Sequence, residues 1–151
     1  MIEAAAMSAI FESEVATDHY RPDLSVMDTT VHLAHRRFDG FGISRDAIDA
    51  AMICDAFSPL LLVQLEALGF CGLGEAKDFI ADGNIELGGR LPINTHGGQL
   101  GEAYIHGMNG IAEAVRLVRG TSFNQVEGAE NIIVTAGTAV PTSALIIQKH
   151  R

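Results

Sequence analysis

The segment Leu91–Gly107 (LPINTHGGQLGEAYIHG) concentrates the residue types of this chain that could do chemistry. It carries two imidazoles, His96 and His106, one phenol, Tyr104, and four glycines, and its only charged residue is Glu102. Histidine and tyrosine side chains can act as general acids or bases. The glycines could let backbone N–H groups approach an anion or an oxyanion, or they could simply allow close backbone packing.

Each of these candidate functional residues also has a purely structural interpretation. His96 and His106 are ten residues apart without an H-x-x-x-H or H-E-x-x-H pattern, so a zinc site is disfavoured. Tyr104 could be a half-buried aromatic residue with a satisfied hydroxyl. Cys54 precedes Asp55, and a neighbouring carboxylate disfavours a thiolate nucleophile. Cys54 could instead be a small hydrophobic residue on a buried strand.

The composition predicts one globular domain spanning residues 1–151. Hydrophobic residues make up 48% of the chain and charged residues 19%, and the net charge of -9 argues against nucleic-acid binding. The two cysteines form no C-x-x-C motif, so we expect a reducing, cytoplasmic location. The first residues lack the pattern of a signal peptide, and no run of about 18 apolar residues predicts a membrane span.

The elements that must position these residues alternate between strands and helices. The apolar runs that predict strands are Ile2–Phe11, Ala51–Phe57, Asn131–Ala139 and Thr142–Gln148. Helices are predicted over Met27–Phe41, Leu60–Leu68, Gly74–Ala81 and Gly107–Arg119. Ser58 should cap the second helix ahead of Pro59, and Gly69 should end it. This order predicts an α/β layered domain with a mixed, largely parallel sheet flanked by helices.

Four segments, taken in their order and spacing, resemble the C-terminal half of the thiolase superfamily. They are Asp49–Phe57, Leu65–Glu75, Leu91–Gly110 and Ala129–Leu145. The branch of sterol-carrier-protein thiolases and bacterial lipid-transfer-protein-like thiolases is the nearest in appearance. The resemblance implies a thiolase-like layered domain that corresponds to one half of the duplicated thiolase core.

The resemblance assigns roles residue by residue. Thiolases have an N-E-A-F or H-D-C-F box whose first residue holds an oxyanion-binding water or a carbonyl, and here that box begins at Cys54. Asn94, Gly97 and Gly98 match the thiolase N-x-x-G-G motif. Tyr104 stands where the thiolase G-H-P motif has its histidine.

Two departures from the thiolase pattern bear on activity. The histidine that activates the thiolase nucleophile is replaced by Tyr104, and His106 lies two residues out of register. The thiolase C-x-G motif becomes Ala136–Ala139, which contains no cysteine. Acetyl-CoA acyltransferase (thiolase) activity is therefore the least favoured interpretation.

Tyrosine at this position instead resembles the thiolase-like aldolases that remove steroid side chains. The resemblance implies retro-aldol cleavage of a β-hydroxyacyl-CoA, with Tyr104 as acid/base. Cys54 stands at the second catalytic position, where these aldolases often have another tyrosine. It also implies substrate-binding roles for five residues: Asn94, His96, Gly97, Gly98 and His106. Acyl-CoA is then the substrate, and we expect neither a cofactor nor a metal. The alternative is a catalytically silent domain that serves assembly or binds an acyl or sterol ligand.

A single thiolase-like half should expose the face that packs on its sister half. The mean hydropathy of +0.22 also suggests a surface that needs covering. We therefore expect a homodimer or a pairing with a thiolase N-terminal half. The resemblance to the aldolases additionally implies a partner protein that combines an OB-fold with a zinc ribbon.

Overall fold

The computed structural model describes residues 1–8, 28–34, 38, 42–103, 105, 107–137 and 142–150. Within these residues the strands are β1 (Ile2–Ser8), β2 (Ala50–Met52), β3 (Asn131–Ala136) and β4 (Thr142–Gln148). They form one sheet in the order β1-β4-β3-β2. The four strands expected from the sequence are confirmed, although β2 and β3 end earlier than predicted. Residues 9–11 of the first predicted strand lie outside the described residues.

The sheet is mixed, as expected. Antiparallel pairs outnumber parallel pairs among its described strands, so the expectation of a largely parallel sheet is wrong. Among the described strands, β2 and β3 pair in parallel, whereas β4 pairs antiparallel with both β3 and β1. Only residues 137–141 separate β3 from β4 in the sequence. A connection this short returns the chain antiparallel, because a parallel crossover needs a dozen or more residues.

The helices within the described ranges are α1 (Asp28–Ala34), α2 (Ser58–Leu68), α3 (Ala76–Ala81), α4 (Gly98–Gly101) and α5 (Met108–Arg119). A helix is present at each of the four predicted positions, although α3 begins at Ala76, and the single turn of α4 was not expected. Residues 27, 35–37 and 39–41 of the first predicted helix lie outside the described residues. Gly69 ends α2 in the left-handed conformation, as predicted. The N-cap is Phe57 rather than Ser58, since Ser58 and Pro59 already belong to the first turn, where proline's fixed φ suits the helix.

The two strands β2 and β3 are buried on both faces of the sheet. Alternate residues of β2 and β3 divide between two apolar clusters, so that Ala51 and Ile133 pack with α2, while Met52 and Ile132 pack with α5. This arrangement confirms the layered α/β architecture. No helix within the described ranges combines the length and the apolar character that crossing a bilayer requires.

The segment Leu91–Asn94 runs beside β2 at the edge of the sheet. Ala51 and Ile93 form a parallel bridge, in which the Ala51 N–H donates to Pro92 O and the Asn94 N–H donates to Ala51 O, both at 3.0 Å. The glycine-rich segment therefore starts at the carboxyl end of β2, where the chemistry-bearing residues meet.

Candidate functional site

Asn94 closes the carboxyl end of β2 with its side chain. Its Oδ1 accepts from the Ile53 N–H at 2.8 Å, and its Nδ2 donates to Ile53 O at 3.0 Å. The residue has a φ of 49°, a left-handed conformation that asparagine tolerates better than most residues. Asn94 therefore lies at the carboxyl end of β2, with both polar atoms of its amide bound to the Ile53 backbone.

Asp55 fixes the glycine turn to the same strand end. Its carboxylate accepts from the Gln99 N–H at 3.1 and 3.2 Å. Gly97 and Gly98 have φ values of 96° and 69°, and a Cβ at Gly98 would overlap the Asp55 carboxylate. The glycine pair is therefore required for backbone conformation and close approach. The Gly97 N–H donates to Asn94 O, so this N–H and that of Gln99 already have partners within the chain.

Cys54 is held by three polar contacts. Its N–H donates to Thr135 Oγ1 at 3.0 Å, its carbonyl accepts from Gln64 Nε2 at 2.6 Å, and its Sγ accepts from Gln99 Nε2 at 3.4 Å. Thr135 also donates to Gln64 Oε1 at 2.9 Å, and both residues are buried. Cys54 is itself half-buried, so it does not belong to the fully buried core.

The other cysteine is a poor nucleophile. Burial, together with the carboxylates of Glu66 and Glu75, raises the pKa of Cys71 to about 11. Its thiol therefore stays protonated at neutral pH, and the thiolate is the reactive form of cysteine.

A small cavity lies where these elements meet. It measures about 20 Å³, and Cys54, Asp55, Asn94, His96 and Gln99 line it. Asn109, Gly110 and Thr135 line the same cavity from α5 and β3. The structure thus brings together three of the predicted site residues, Cys54, Asn94 and His96, beside the Gly97–Gly98 turn. Tyr104 and His106 lie outside the described residues.

Glu113 is a buried carboxylate that the sequence analysis missed. It is 3% exposed, and its Oε1 accepts from Thr95 Oγ1 at 2.7 Å and from Ser122 Oγ at 2.6 Å. Arg116 Nη1 contacts its Oε2 at 3.2 Å. Burial alone would raise the pKa of Glu113, but these hydrogen bonds and nearby His96 hold it below the ordinary value.

A signal for Glu113 was present in the sequence. Asn109, Glu113 and Leu117 are spaced by four residues, so they share one face of α5, and all three are buried. A charged residue at a core position of an amphipathic helix indicates a paired or functional carboxylate. Glu113 ties α5 to Thr95, the residue before His96.

In the part of the chain that the structure describes, no group of three or more His, Cys, Asp and Glu side chains could hold a metal ion.

Comparison with known families shows which family this chain belongs to. The family model described as thiolase C-terminal domain-like matches residues 12–149. The chain belongs to the thiolase C-terminal domain-like family. The resemblance inferred from the four sequence segments is therefore confirmed.

Relatives of this thiolase C-terminal domain include aldolases. A steroid side-chain-cleaving aldolase of Thermomonospora curvata is 55% identical over 151 residues, which is 100% of this chain and 39% of that protein. A 17-hydroxy-3-oxo-4-pregnene-20-carboxyl-CoA lyase of Mycobacterium tuberculosis is 56% identical over 147 residues, covering 97% of this chain and 38% of the lyase.

A solved structure, the Ltp2-ChsH2(DUF35) aldolase, matches this chain over the whole length of the chain. Its TM-score is 0.93 at 55% sequence identity, and the match covers 100% of this chain and 40% of that one. The chain therefore spans about two fifths of the length of these relatives. The predicted likeness to thiolase-like aldolases is confirmed, while the roles assigned to individual residues stay predictions.

Proposed function

We propose that this chain is the C-terminal domain of a lyase that cleaves a β-hydroxyacyl-CoA with a steroid or lipid side chain. The observation that carries the proposal is 55% identity, over the whole chain, to a steroid side-chain-cleaving aldolase. The compound in the name of the mycobacterial relative has both a hydroxyl group and a carboxyl-CoA group. A retro-aldol reaction requires these two functional groups.

The proposed reaction needs a proton acceptor and a proton donor. A base removes the proton of the β-hydroxyl, and the oxygen electrons form a carbonyl as the bond between the α- and β-carbons breaks. The released electron pair forms the thioester enolate, which takes up a proton at carbon. Tyr104 is our proposed acid/base, and its phenol, ordinarily with a pKa near 10, would need strong tuning by its surroundings. No covalent acyl-enzyme forms, which is consistent with the lack of cysteine in Ala136–Ala139.

The described site supplies a rigid frame for this chemistry. Asn94, Asp55 and the Gln64–Thr135 pair each fix part of the strand end that presents the Cys54 thiol. We assign to Cys54 a place at the wall of the acyl-CoA site, together with His96. We propose acyl-CoA as the substrate and no other cofactor, in a cytoplasmic enzyme whose cysteines Cys54 and Cys71 are free.

An apolar groove supports a partner for this domain. It measures about 350 Å³ and lies between β1, β4, the end of β3 and the start of α5. We propose that the thiolase N-terminal half covers it, with a second copy of the chain as the alternative. The name of the solved relative joins two components, which supports a further partner protein. An OB-fold and zinc-ribbon architecture for that partner rests on the family resemblance.

The proposed reaction is tested with Tyr104→Phe in a full-length protein. That protein also contains the part of the relatives' length that this chain does not cover. Loss of the phenolic hydroxyl should lower kcat for β-hydroxyacyl-CoA cleavage by at least about 100-fold, the usual contribution of a general acid or base. Product formation is followed by chromatography of the released carbonyl compound and the shortened acyl-CoA.

Tyr20→Phe is the matched control, since Tyr20 is the other tyrosine of the chain. It should leave the rate unchanged. Cleavage by Tyr104→Phe at the wild-type rate would contradict the role of Tyr104. If the wild-type protein binds the acyl-CoA without cleaving it, the domain is the silent binding module instead.

A further inference from the structure

Three residues that line the small cavity at the end of β2 carry polar atoms that no described residue satisfies. Asn109 Nδ2, Gln99 Oε1 and His96 Nδ1 are buried and have no hydrogen-bond partner among the described residues. All three residues line the cavity. Asn109 is only 5% exposed, so its amide has little access to bulk solvent. An unsatisfied buried polar atom is costly, which points to a ligand group at this place.

The existing contacts fix which atom of each amide faces the ligand. Asn109 Oδ1 accepts from the Gly110 N–H at 3.2 Å, which leaves Nδ2 as the open donor. Gln99 Nε2 donates to Cys54 Sγ at 3.4 Å, which leaves Oε1 as the open acceptor. The cavity therefore offers one donor and one acceptor, and His96 Nδ1 can serve as either.

The volume of the cavity and its open hydrogen-bonding atoms indicate which ligand group fits. About 20 Å³ is slightly more than the ~10–15 Å³ that one water molecule needs. An ionised carboxylate only accepts hydrogen bonds, so it would leave Gln99 Oε1 without a donor. A carbonyl oxygen would satisfy Asn109 Nδ2 but would face Gln99 Oε1, another acceptor, without a proton to share. A hydroxyl group satisfies both atoms, because it accepts one hydrogen bond and donates another.

We propose that this cavity is a subsite for a single hydroxyl group, which accepts from Asn109 and donates to Gln99. The proposal rests on the proposed function, because the hydroxyl of a β-hydroxyacyl-CoA is the substrate group that fits, and water is the second source of the same chemistry. Asn109 and Gln99 are then residues that select the hydroxylated substrate, whereas Tyr104 carries out the proton transfer.

Binding measurements test the substrate assignment. The full-length Tyr104→Phe protein is titrated calorimetrically with a β-hydroxyacyl-CoA and with the same acyl-CoA lacking the hydroxyl. We expect the hydroxylated ligand to bind about tenfold more tightly, as one well-made hydrogen bond allows. Adding Asn109→Leu should abolish this preference and leave the affinity for the deoxy ligand unchanged.

Gln99→Met provides an independent variant, because Gln99 is half-buried and methionine is of similar size. It should also reduce the preference. Asn84→Leu is the matched control, since this half-buried amide donates to Phe79 O away from the cavity, and it should keep the preference. An unchanged preference in both cavity variants, or an equal loss of affinity for both ligands, would overturn the substrate assignment.

Crystal structures of the full-length protein separate the two sources of the hydroxyl and do not require turnover. In the free protein we expect a water within hydrogen-bonding distance of both Asn109 Nδ2 and Gln99 Oε1, replaced by the substrate hydroxyl in the complex. A water that stays when substrate binds would overturn the substrate assignment and retain the hydroxyl subsite. Absence of any oxygen near both atoms in both structures refutes the subsite itself, whether or not the protein cleaves a β-hydroxyacyl-CoA.

Discussion

Asn94 shows how a single side chain can take the place of a backbone neighbour. Both of its amide atoms bind the Ile53 backbone, at 2.8 and 3.0 Å, so the side chain continues the pairing beyond the last residue of β2. The resemblance to the thiolase N-x-x-G-G motif implies that Asn94 belongs to the site. The spacing could not show which atoms its amide binds, because Ile53 is 41 residues away in the sequence.

The charge of Glu113 contributes to the stability of the site. Its pKa is lowered in the folded protein, so the folded state binds this proton less readily than the unfolded chain. The resulting stabilisation is complete above the ordinary glutamate pKa of about 4.3 and is lost as pH falls through the lower, folded value. Glu113→Gln should therefore destabilise the protein by about 1–2 kcal/mol at neutral pH, because charge-assisted hydrogen bonds are lost.

Urea unfolding between pH 7 and pH 3 measures this effect. The difference in free energy of unfolding between wild type and Glu113→Gln should shrink as the pH falls below about 4.3. Glu127→Gln, which changes an exposed glutamate, should show little difference at any pH. A difference for Glu113→Gln that stays constant across the range would show that the carboxylate charge contributes nothing.

At the scale of elements, strand β2 ends earlier than its sequence predicts, and the reason is long-range. The apolar run continues through Ala51–Phe57, yet the strand covers Ala50–Met52. Beyond Met52 the backbone bonds to side chains instead of a neighbouring strand, since Ile53 pairs with Asn94 and the Cys54 N–H donates to Thr135. Hydrophobic periodicity describes local pattern only and does not register such contacts.

The glycine turn before α4 provides a paired test of close approach. Gly97 and Gly98 both have positive φ, so alanine at either position should cost about 1–2 kcal/mol. A Cβ at Gly98 would additionally overlap the Asp55 carboxylate, whereas a Cβ at Gly97 comes no closer than 3.4 Å to Gly101 Cα. Gly98→Ala should therefore be the more destabilising by about 1–3 kcal/mol, the usual cost of overpacking.

Thermal or urea unfolding of the two alanine variants measures this difference, with cleavage activity as a second readout. Gly98→Ala should also lose more activity, because the displaced carboxylate no longer holds the Gln99 N–H. Equal stability losses for the two variants would mean that Asp55 moves aside at no cost.

Across the whole molecule, local pattern predicted the elements well and their arrangement less well. The amphipathic pattern of Gly107–Arg119 predicted α5, which covers Met108–Arg119, and the apolar run Thr142–Gln148 predicted β4 with the same bounds. The pairing of β4 with both β1 and β3 depends on where distant strands meet. The meeting of Gln99 and Asn109 at the cavity likewise depends on tertiary structure, because α4 carries one residue and the first turn of α5 carries the other.

The apolar groove leads to a prediction about assembly. Met7 lines it from the edge strand β1 and is 68% exposed, so a partner that covers the groove would bury this side chain. Met7→Lys would place a charge in that interface, and we expect it to weaken assembly with the thiolase N-terminal half by at least about tenfold, because a buried unpaired charge is costly. Analytical ultracentrifugation or analytical gel filtration of the assembled protein measures the change.

Leu73→Lys is the matched control for this prediction, since Leu73 is 74% exposed and does not line the groove. It should leave assembly unchanged, and both variants should keep the fold because each side chain is largely solvent-exposed. If Met7→Lys instead prevents only self-association of this chain, the groove is the interface of a homodimer. Assembly that is unaffected by Met7→Lys would place the interface elsewhere, because an edge strand bearing a lysine does not pack against an apolar partner surface.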